Sequence, residues 1–154
     1  MTTSGDCSVC DGVKRLDELP ARERVAVDEH WWVSHGITAG LPGWLVLSPR
    51  RHVSCLAELT DVEAAELGRW QVRLSRALHA VTGCAKTYVA QFSEAEGFTH
   101  LHFHVIPRPA ELSPENRGPR VFGLLGLPEE RRVPAEGMDA LARTLAAHLS
   151  GLPG

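Results

Sequence analysis

The spacing of hydrophobic and polar residues along the chain predicts two helices of unequal length. Apolar residues recur at helical spacing over 61–82, Thr60 or Asp61 can cap the start of this segment, and Gly83 provides the stop. A shorter amphipathic pattern extends over Met138–Leu149. We therefore predict one long central helix and one C-terminal helix.

Alternating or fully apolar runs predict about five short strands. They are bounded by glycine, proline and acidic residues, and they cover 24–27, 30–34, 44–49, 86–93 and 100–107. The first 20 residues are predicted to be a loop-rich arm with one short helical turn before Pro20. Strands around one long helix, without βαβ alternation, predict an α+β fold on an antiparallel sheet.

The composition limits the classes of protein that fit. A chain of 154 residues with 44% hydrophobic residues is long enough for one domain with a core. The formal net charge of -3 provides no general attraction for polymeric nucleic acid or anionic membranes. There is no apolar run of the roughly 20 residues that span a bilayer, and no signal-peptide pattern at the start, so we expect a cytoplasmic protein without a membrane anchor.

Three of the eight histidines, His100, His102 and His104, occupy alternate positions in the stretch "HLHFHVIP". On an extended chain they share one face while Leu101 and Phe103 share the other. A neutral imidazole can act as a nucleophile or acid–base near pH 7, or can bind zinc. Next-but-one strand residues lie about 6.6 to 7 Å apart, which favours separate roles over one shared ion, although a metal face remains a rival hypothesis.

Cys7 and Cys10 form a Cys-x-x-Cys pair, whereas Cys55 and Cys84 are isolated in the sequence. The pair is half of a zinc site. Two alternatives remain open: two thiols without a special function, or a redox pair, which is disfavoured because no thioredoxin-like βαβ pattern follows.

These motifs together resemble the histidine triad (HIT) superfamily. The triad stretch matches the family signature His-φ-His-φ-His-φ-φ, where φ is apolar, and "PGWLVLSPRRHV" stands where the family has Pro-Gly-His-x-Leu-Val-x-Pro-x-x-His. The order of elements also agrees. The resemblance implies a HIT-like domain over residues 5–110, with residues 111–154 as a C-terminal extension packed on the same domain.

The resemblance implies a role for each candidate residue. His102 would attack phosphorus while a backbone carbonyl, that of His100, holds its other ring nitrogen, and His104 would bind the phosphoryl or bridging oxygen. A structural zinc would be bound by Cys7, Cys10, His52 and His100. His30 and His35 are rival fourth ligands, whereas His79 and His148 are expected at the surface.

The sequence departs from the family pattern beside the triad. Trp44 replaces the histidine of Pro-Gly-His, and the preceding stretch carries no acid to grip a ribose. The loop "AQFSEAEGFTH" lacks the usual Asn-x-Gly and Gly-Gln, with Gln91 as the candidate substitute for the asparagine and Glu96 at the position of the glutamine. We expect Glu96 either to face solvent or to select a cationic or differently shaped leaving group.

We therefore expect a nucleotide hydrolase or nucleotidyl transferase that acts at an α-phosphate through a nucleotidyl-histidine. The alternative is a zinc-stabilised nucleotide-binding module with little or no turnover. The family also implies a homodimer. Substrates from dinucleoside polyphosphates to nucleoside phosphoramidates are compatible with the sequence, which does not choose between them.

Overall fold

The computed structural model describes residues 4–151 and contains three α-helices and five strands. The helices are α1 (Ser8–Lys14), α2 (Asp61–Thr82) and α3 (Ala135–Ser150). The strands are β1 (Ala26–Val27), β2 (Trp31–His35), β3 (Leu45–Pro49), β4 (Lys86–Ala90) and β5 (Phe103–Arg108). Every strand pair is antiparallel, and the order in the sheet is β1-β2-β3-β5-β4. The predicted α+β class is confirmed.

The long helix α2 has the boundaries that the sequence predicts, because both of its ends are capped. The Thr60 side chain accepts a hydrogen bond from the backbone of Glu63, and the Glu63 carboxylate accepts one from Thr60 in return. Gly83 ends the helix in the left-handed conformation at φ 67°. The C-terminal helix α3 begins three residues earlier and ends one residue later than predicted.

The N-terminal arm differs from the sequence prediction, which placed a loop around the cysteine pair. Residues 8–14 form helix α1, with Cys7 at its N-cap and Cys10 in its first turn. The helix packs closely on Trp32 at Gly12, where an added Cβ would lie 2.5 Å from Cη2 of that ring. Glycine therefore permits the approach that brings the two cysteines to the sheet.

The main core lies between one face of the sheet and helices α2 and α3. Leu101, Phe103 and Val105 are buried there, as the alternation of the triad segment predicts. They pack with residues from the strands and both helices, among them Trp31, Leu45, Leu47, Trp70, Leu74, Leu78 and Leu145. The apolar positions of the triad segment thus anchor it, and the intervening histidines face elsewhere.

The opposite face of the sheet is partly covered by residues 118–133, which we name the C-terminal strap. Gly40 N donates to Leu124 O at 2.8 Å, and Val133 N donates to Ala39 O at 2.9 Å, so the strap is bonded to the loop between β2 and β3. Val121 completes a second apolar cluster with Ala39, Leu41, Trp44 and Ile106. The strap therefore adds a second layer beside the histidines.

Candidate functional site

Four side chains from three separate parts of the chain converge on one point. One ligand atom from each of Cys7, Cys10, His52 and His100 lies within 4.8 Å of all the others. Nδ1 of His100 is 3.4 Å from Sγ of Cys7 and 3.6 Å from Sγ of Cys10, and Nδ1 of His52 is 3.1 Å from Sγ of Cys10. Tetrahedral zinc, with Zn–S near 2.3 Å and Zn–N near 2.1 Å, requires S···N separations of about 3.6 Å. The set fits a closed structural zinc site.

The tautomer of His100 also fits a metal ligand. Its Nε2 lies 2.8 Å from the carbonyl oxygen of Pro49, to which the Nε2–H donates, so the lone pair is on Nδ1 and faces the two sulfurs. Burial lowers the pKa of His100, which keeps the ring neutral. Burial and the neighbouring Cys7 raise the pKa of the Cys10 thiol to about 11, so a metal ion must displace its proton on binding.

His52 is held in place through its neighbour Arg51. The Arg51 guanidinium donates to both carboxylate oxygens of Glu63, at 3.0 and 2.9 Å. This hydrogen bond to Arg51 is the main cause that lowers the pKa of Glu63 to about 2. The ion pair fixes the segment after β3 to the start of α2, and His52 with it.

The rival zinc ligands lie elsewhere. Nδ1 of His30 lies 2.9 Å from a carboxylate oxygen of Glu66, and His35 is buried between Gly36 O and the backbone N–H of Gly43. His79 is exposed and His148 is half-buried. Over residues 4–151, no other group of histidine, cysteine or acidic side chains has metal-binding spacing, and the one group present includes neither His102 nor His104.

His102 is half-buried and has one ring nitrogen occupied. Its Nδ1 donates to the carbonyl oxygen of His100 at 2.8 Å, which is the contact that the resemblance implies. In the neutral ring the proton is therefore on Nδ1, and Nε2 carries the lone pair. Nε2 has no hydrogen-bond partner among the residues that the structure describes, so it is available to a ligand.

Ser93 is a site residue that the sequence analysis did not identify. It is buried, and it adopts the left-handed conformation at φ 55°, which non-glycine residues rarely do. Its Oγ accepts hydrogen bonds from the backbone N–H of His102 at 3.1 Å and from Nε2 of Gln91 at 2.9 Å. Gln91 therefore reaches the triad through Ser93. Backbone strain has no signature in the sequence, which is why the residue was missed.

His104 is enclosed by aromatic rings. It is buried, and Nε1 of Trp44 donates to its Nδ1 at 3.0 Å. Phe122 of the C-terminal strap packs edge-on against both His104 and Trp44, with ring centroids 5.0 and 5.4 Å apart, and Phe92 packs on Phe122. Burial, and secondly the charge of His102, lower the pKa of His104 to about 4.

The triad segment is not a strand along its whole length. Ladder pairing begins at Phe103, opposite Leu47, so His100 and His102 precede β5 and only His104 lies within it. The predicted strand over 100–107 is therefore too long at its start, and the backbone carbonyl of His100 is left available to His102. The ring centroids of His102 and His104 are 5.0 Å apart, which makes them direct neighbours.

The loop before the triad presents its charges to solvent. Glu94 and Glu96 are both exposed, so Glu96 faces solvent, which is the first of the two expectations for this residue. Phe92 and Phe98 in the same segment are also exposed, with 61% and 52% of their surface accessible. The loop therefore offers aromatic rings and carboxylates around the triad.

No described helix has the length and hydropathy required to cross a membrane.

Several solved structures that resemble this fold are histidine triad proteins. A zinc-bound histidine triad family protein from Mycobacterium smegmatis has a TM-score of 0.70 and 21% identity, with 96% of each chain covered. A hypothetical histidine triad nucleotide-binding protein from Sulfolobus tokodaii has a TM-score of 0.70 and 17% identity, covering 94% of this chain and 92% of its own. A histidine triad protein from Bradyrhizobium japonicum has values of 0.68 and 25%, covering 88% and 94%.

These comparisons confirm the expected fold. The chain has the α+β histidine triad fold with an open five-stranded antiparallel sheet. No protein-family model matches the sequence, and no curated protein matches it. The zinc in the M. smegmatis protein agrees with the metal-binding cluster of Cys7, Cys10, His52 and His100.

Proposed function

We propose that the protein is a nucleotide hydrolase or nucleotidyl transferase that acts at the α-phosphate of a nucleotide. The observation that carries the proposal is the hydrogen bond from Nδ1 of His102 to the carbonyl oxygen of His100. When the His102 ring is neutral, this bond leaves its Nε2 lone pair free beside the buried His104. A neutral, oriented imidazole is the form required for nucleophilic attack.

The reaction proceeds in two displacements. Nε2 of His102 forms a bond to phosphorus, and the bond from phosphorus to the leaving group breaks with its electron pair. The intermediate is a nucleotidyl-imidazolium, whose positive charge is stabilised by the Nδ1–H···O=C bond to His100. Water, or another acceptor, then forms the new P–O bond and loses a proton to solvent. The bond from phosphorus to Nε2 breaks, and its electron pair returns to Nε2, so that His102 is again neutral with its proton on Nδ1.

Gln91, Ser93 and His104 surround the transferred phosphoryl group in this proposal. Ser93 Oγ already accepts two hydrogen bonds, so its own proton is free to be donated to a phosphoryl oxygen. Gln91 fixes Ser93 from behind and contributes to the substrate site through it. His104 donates to the phosphoryl or bridging oxygen, which stabilises charge that develops in the transition state.

Zinc on Cys7, Cys10, His52 and His100 is structural in this proposal. All four positions of a tetrahedral ion are filled by protein ligands, which leaves no position for substrate. When bound, the ion provides a link that ties helix α1 to the triad segment. The ligands require reduced thiols, which is consistent with a cytoplasmic location.

We also propose that two copies pair into a homodimer through the edge strand β4. Among the residues that the structure describes, this strand bonds only to β5, so its other edge is unpaired there. Val89 on the strand is 48% exposed. A lysine at this position places a charge on the edge, so Val89→Lys should convert a dimer to a monomer in analytical ultracentrifugation. Ile37→Lys, which alters an exposed apolar residue outside β4, should not.

The test of the activity uses zinc-loaded protein with adenosine phosphoramidate and with dinucleoside polyphosphates. We expect nucleoside monophosphate to form, an adenylylated protein to be detected by intact mass after an alkaline quench, and both to disappear in His102→Ala. His79→Ala changes an exposed histidine on α2 and should keep full activity.

A different result would support the alternative function. Tight nucleotide binding by calorimetry without product from either substrate class would identify a zinc-stabilised nucleotide-binding module. The observation that favours this alternative is the loop before the triad, which carries exposed Glu94 and Glu96 close to a site for anions. The absence of both nucleotide binding and product would overturn both proposals.

A further inference from the structure

The contact between Trp44 and His104 determines where the proton of His104 is. The indole Nε1–H of Trp44 lies 3.0 Å from Nδ1 of His104. An indole nitrogen can donate a hydrogen bond but cannot accept one. Nδ1 of His104 must therefore be the acceptor, and the proton of the neutral ring must be on Nε2.

The same contact opposes the charged form of His104. Protonation of Nδ1 would set two N–H groups against each other at 3.0 Å and leave the indole donor without a partner. Solvent cannot stabilise the charged ring, because Trp44 is fully buried, His104 is 6% exposed, and Phe122 covers both rings. The one titratable neighbour with a charge effect on His104 is His102, which also disfavours a second positive charge.

We propose that Trp44 is a positioning residue that fixes His104 as a neutral donor, with its Nε2–H available to the substrate. This inference rests on the proposed function for its catalytic part only. Histidine, the residue of the family pattern at this position, can donate or accept and can itself titrate. Tryptophan can only donate and does not titrate, so this chain has one fixed arrangement where a histidine pair would have several.

The first test measures the tautomer directly in the zinc-loaded protein without substrate. In ¹⁵N-correlated NMR of the histidine side chains, assigned with His104→Gln, we expect His104 to be neutral with its proton on Nε2 throughout pH 5.5–8. A ring protonated at Nδ1, or an imidazolium at neutral pH, would overturn the proposal. This readout needs no variant of Trp44 and does not depend on turnover.

The second test uses Trp44→Phe, which removes the donor and keeps an aromatic ring. We expect His104 to populate both tautomers, and kcat to fall about tenfold, the value of one hydrogen bond, with KM and zinc content nearly unchanged. Trp44→His, which restores a donor, should recover part of the rate. An unchanged tautomer and rate in Trp44→Phe would overturn the role of Trp44.

The two tests also separate this inference from the activity on which it builds. If the NMR result is as expected and no substrate is turned over, the positioning of His104 is supported and its catalytic part is overturned. If turnover depends on His102 while the tautomer of His104 does not depend on Trp44, the proposed function stands and this inference fails.

Discussion

The carbonyl oxygen of His100 accepts the hydrogen bond of Nδ1 of His102 at 2.8 Å, while the ring of His100 lies at the metal cluster. One residue thus takes part in both sites, with its side chain in one and its backbone in the other. A change in the position of His100 therefore reaches the His102 ring directly through this hydrogen bond. A zinc ion bound at this cluster would be coupled to the proposed nucleophile in this way.

The first prediction concerns that coupling. Cys10→Ser removes one of the two sulfurs close to Nδ1 of His100, so we expect the protein to lose its zinc and its melting temperature to fall by roughly 10 °C or more. We also expect kcat to fall, because the carbonyl of His100 no longer holds His102 in one orientation. Metal analysis, calorimetry and nucleotide turnover measure the three effects.

The matched control is Cys55→Ser. Cys55 is exposed and lies outside the cluster, and its backbone N–H donates to the Glu58 carboxylate at 3.0 Å, a hydrogen bond that serine would keep. One zinc per chain and an unchanged melting temperature are expected for this variant. Loss of activity in Cys10→Ser with full zinc content would contradict the coupling.

The second prediction concerns the packing of helix α1. In Gly12→Ala the new Cβ would lie 2.5 Å from Trp32, so the helix must move and carry Cys10 with it. We expect a loss of about 1–3 kcal/mol in the free energy of unfolding and weaker zinc binding in a competition titration with a chelator.

Gly68→Ala is the corresponding control in helix α2. Nothing lies within 4 Å of an added Cβ at this exposed position, so alanine should stabilise the helix by about 0.5–1 kcal/mol. Equal effects of the two substitutions on zinc affinity would show that the Trp32 contact does not position the cysteines.

The third prediction concerns the ion pair between Arg51 and Glu63. In Glu63→Gln the side-chain amide cannot accept both hydrogen bonds of the guanidinium, and the cap of α2 is weakened. We therefore expect the free energy of unfolding, measured in urea, to fall by about 2 kcal/mol. Asp61→Asn changes an exposed acid in the same helical turn, and its effect on the free energy of unfolding should be only a small fraction of that of Glu63→Gln. A zinc affinity unchanged in Glu63→Gln would show that His52 does not depend on this pair.

Much of the fold could be predicted because its signals are local. The ends of α2 follow from Thr60 and Gly83, whose capping roles depend on their own backbone. The burial of Leu101, Phe103 and Val105 follows from strand alternation. Helix α1 was missed because it is only seven residues long and contains a glycine and a cysteine, and its packing on Trp32 outweighs this weak propensity.

The site could be predicted only in part. The metal cluster was predicted from the Cys-x-x-Cys motif and the family pattern, and the structure brings all four residues together. The environment of His104 was not predicted, because Phe122 is 18 positions further along the chain and reaches the site through the fold of the C-terminal strap. Trp44 was noted only as a departure, since its hydrogen bond to His104 depends on the register of β3 with β5.

The fourth prediction is a dependence of stability on acid pH. Burial lowers the pKa of His104 to about 4 in the folded protein, against about 6.5 in the unfolded chain. Above pH 6.5 both states are neutral; as the pH falls toward 4 only the unfolded chain binds the proton. The contribution of His104 should therefore lower the free energy of unfolding by roughly 3 kcal/mol as the pH falls from 6.5 to 4.

The measurement compares urea unfolding of the wild type and of His104→Gln at several pH values from 7 to 4. Loss of zinc at acid pH affects both proteins and cancels in the difference, as do the other buried histidines. The wild type should lose stability more steeply than the variant. Parallel curves would show that the His104 imidazole is not protected from protonation.

The last prediction follows from a His104 that stays neutral. A neutral imidazole N–H is a hydrogen-bond donor but far too weak an acid to give its proton to a leaving group near pH 7. An oxygen leaving group must then depart as an anion, whereas the nitrogen of a phosphoramidate must take its proton from solvent before it leaves. We expect kcat/KM for a series of aryl esters of a nucleoside monophosphate to rise steeply as the pKa of the phenol falls. Because kcat/KM reports the steps up to the first irreversible one, slow hydrolysis of the intermediate does not mask this slope. A slope near zero would require an acid in the site, and Trp44→His, which can supply one, should flatten the slope relative to the wild type.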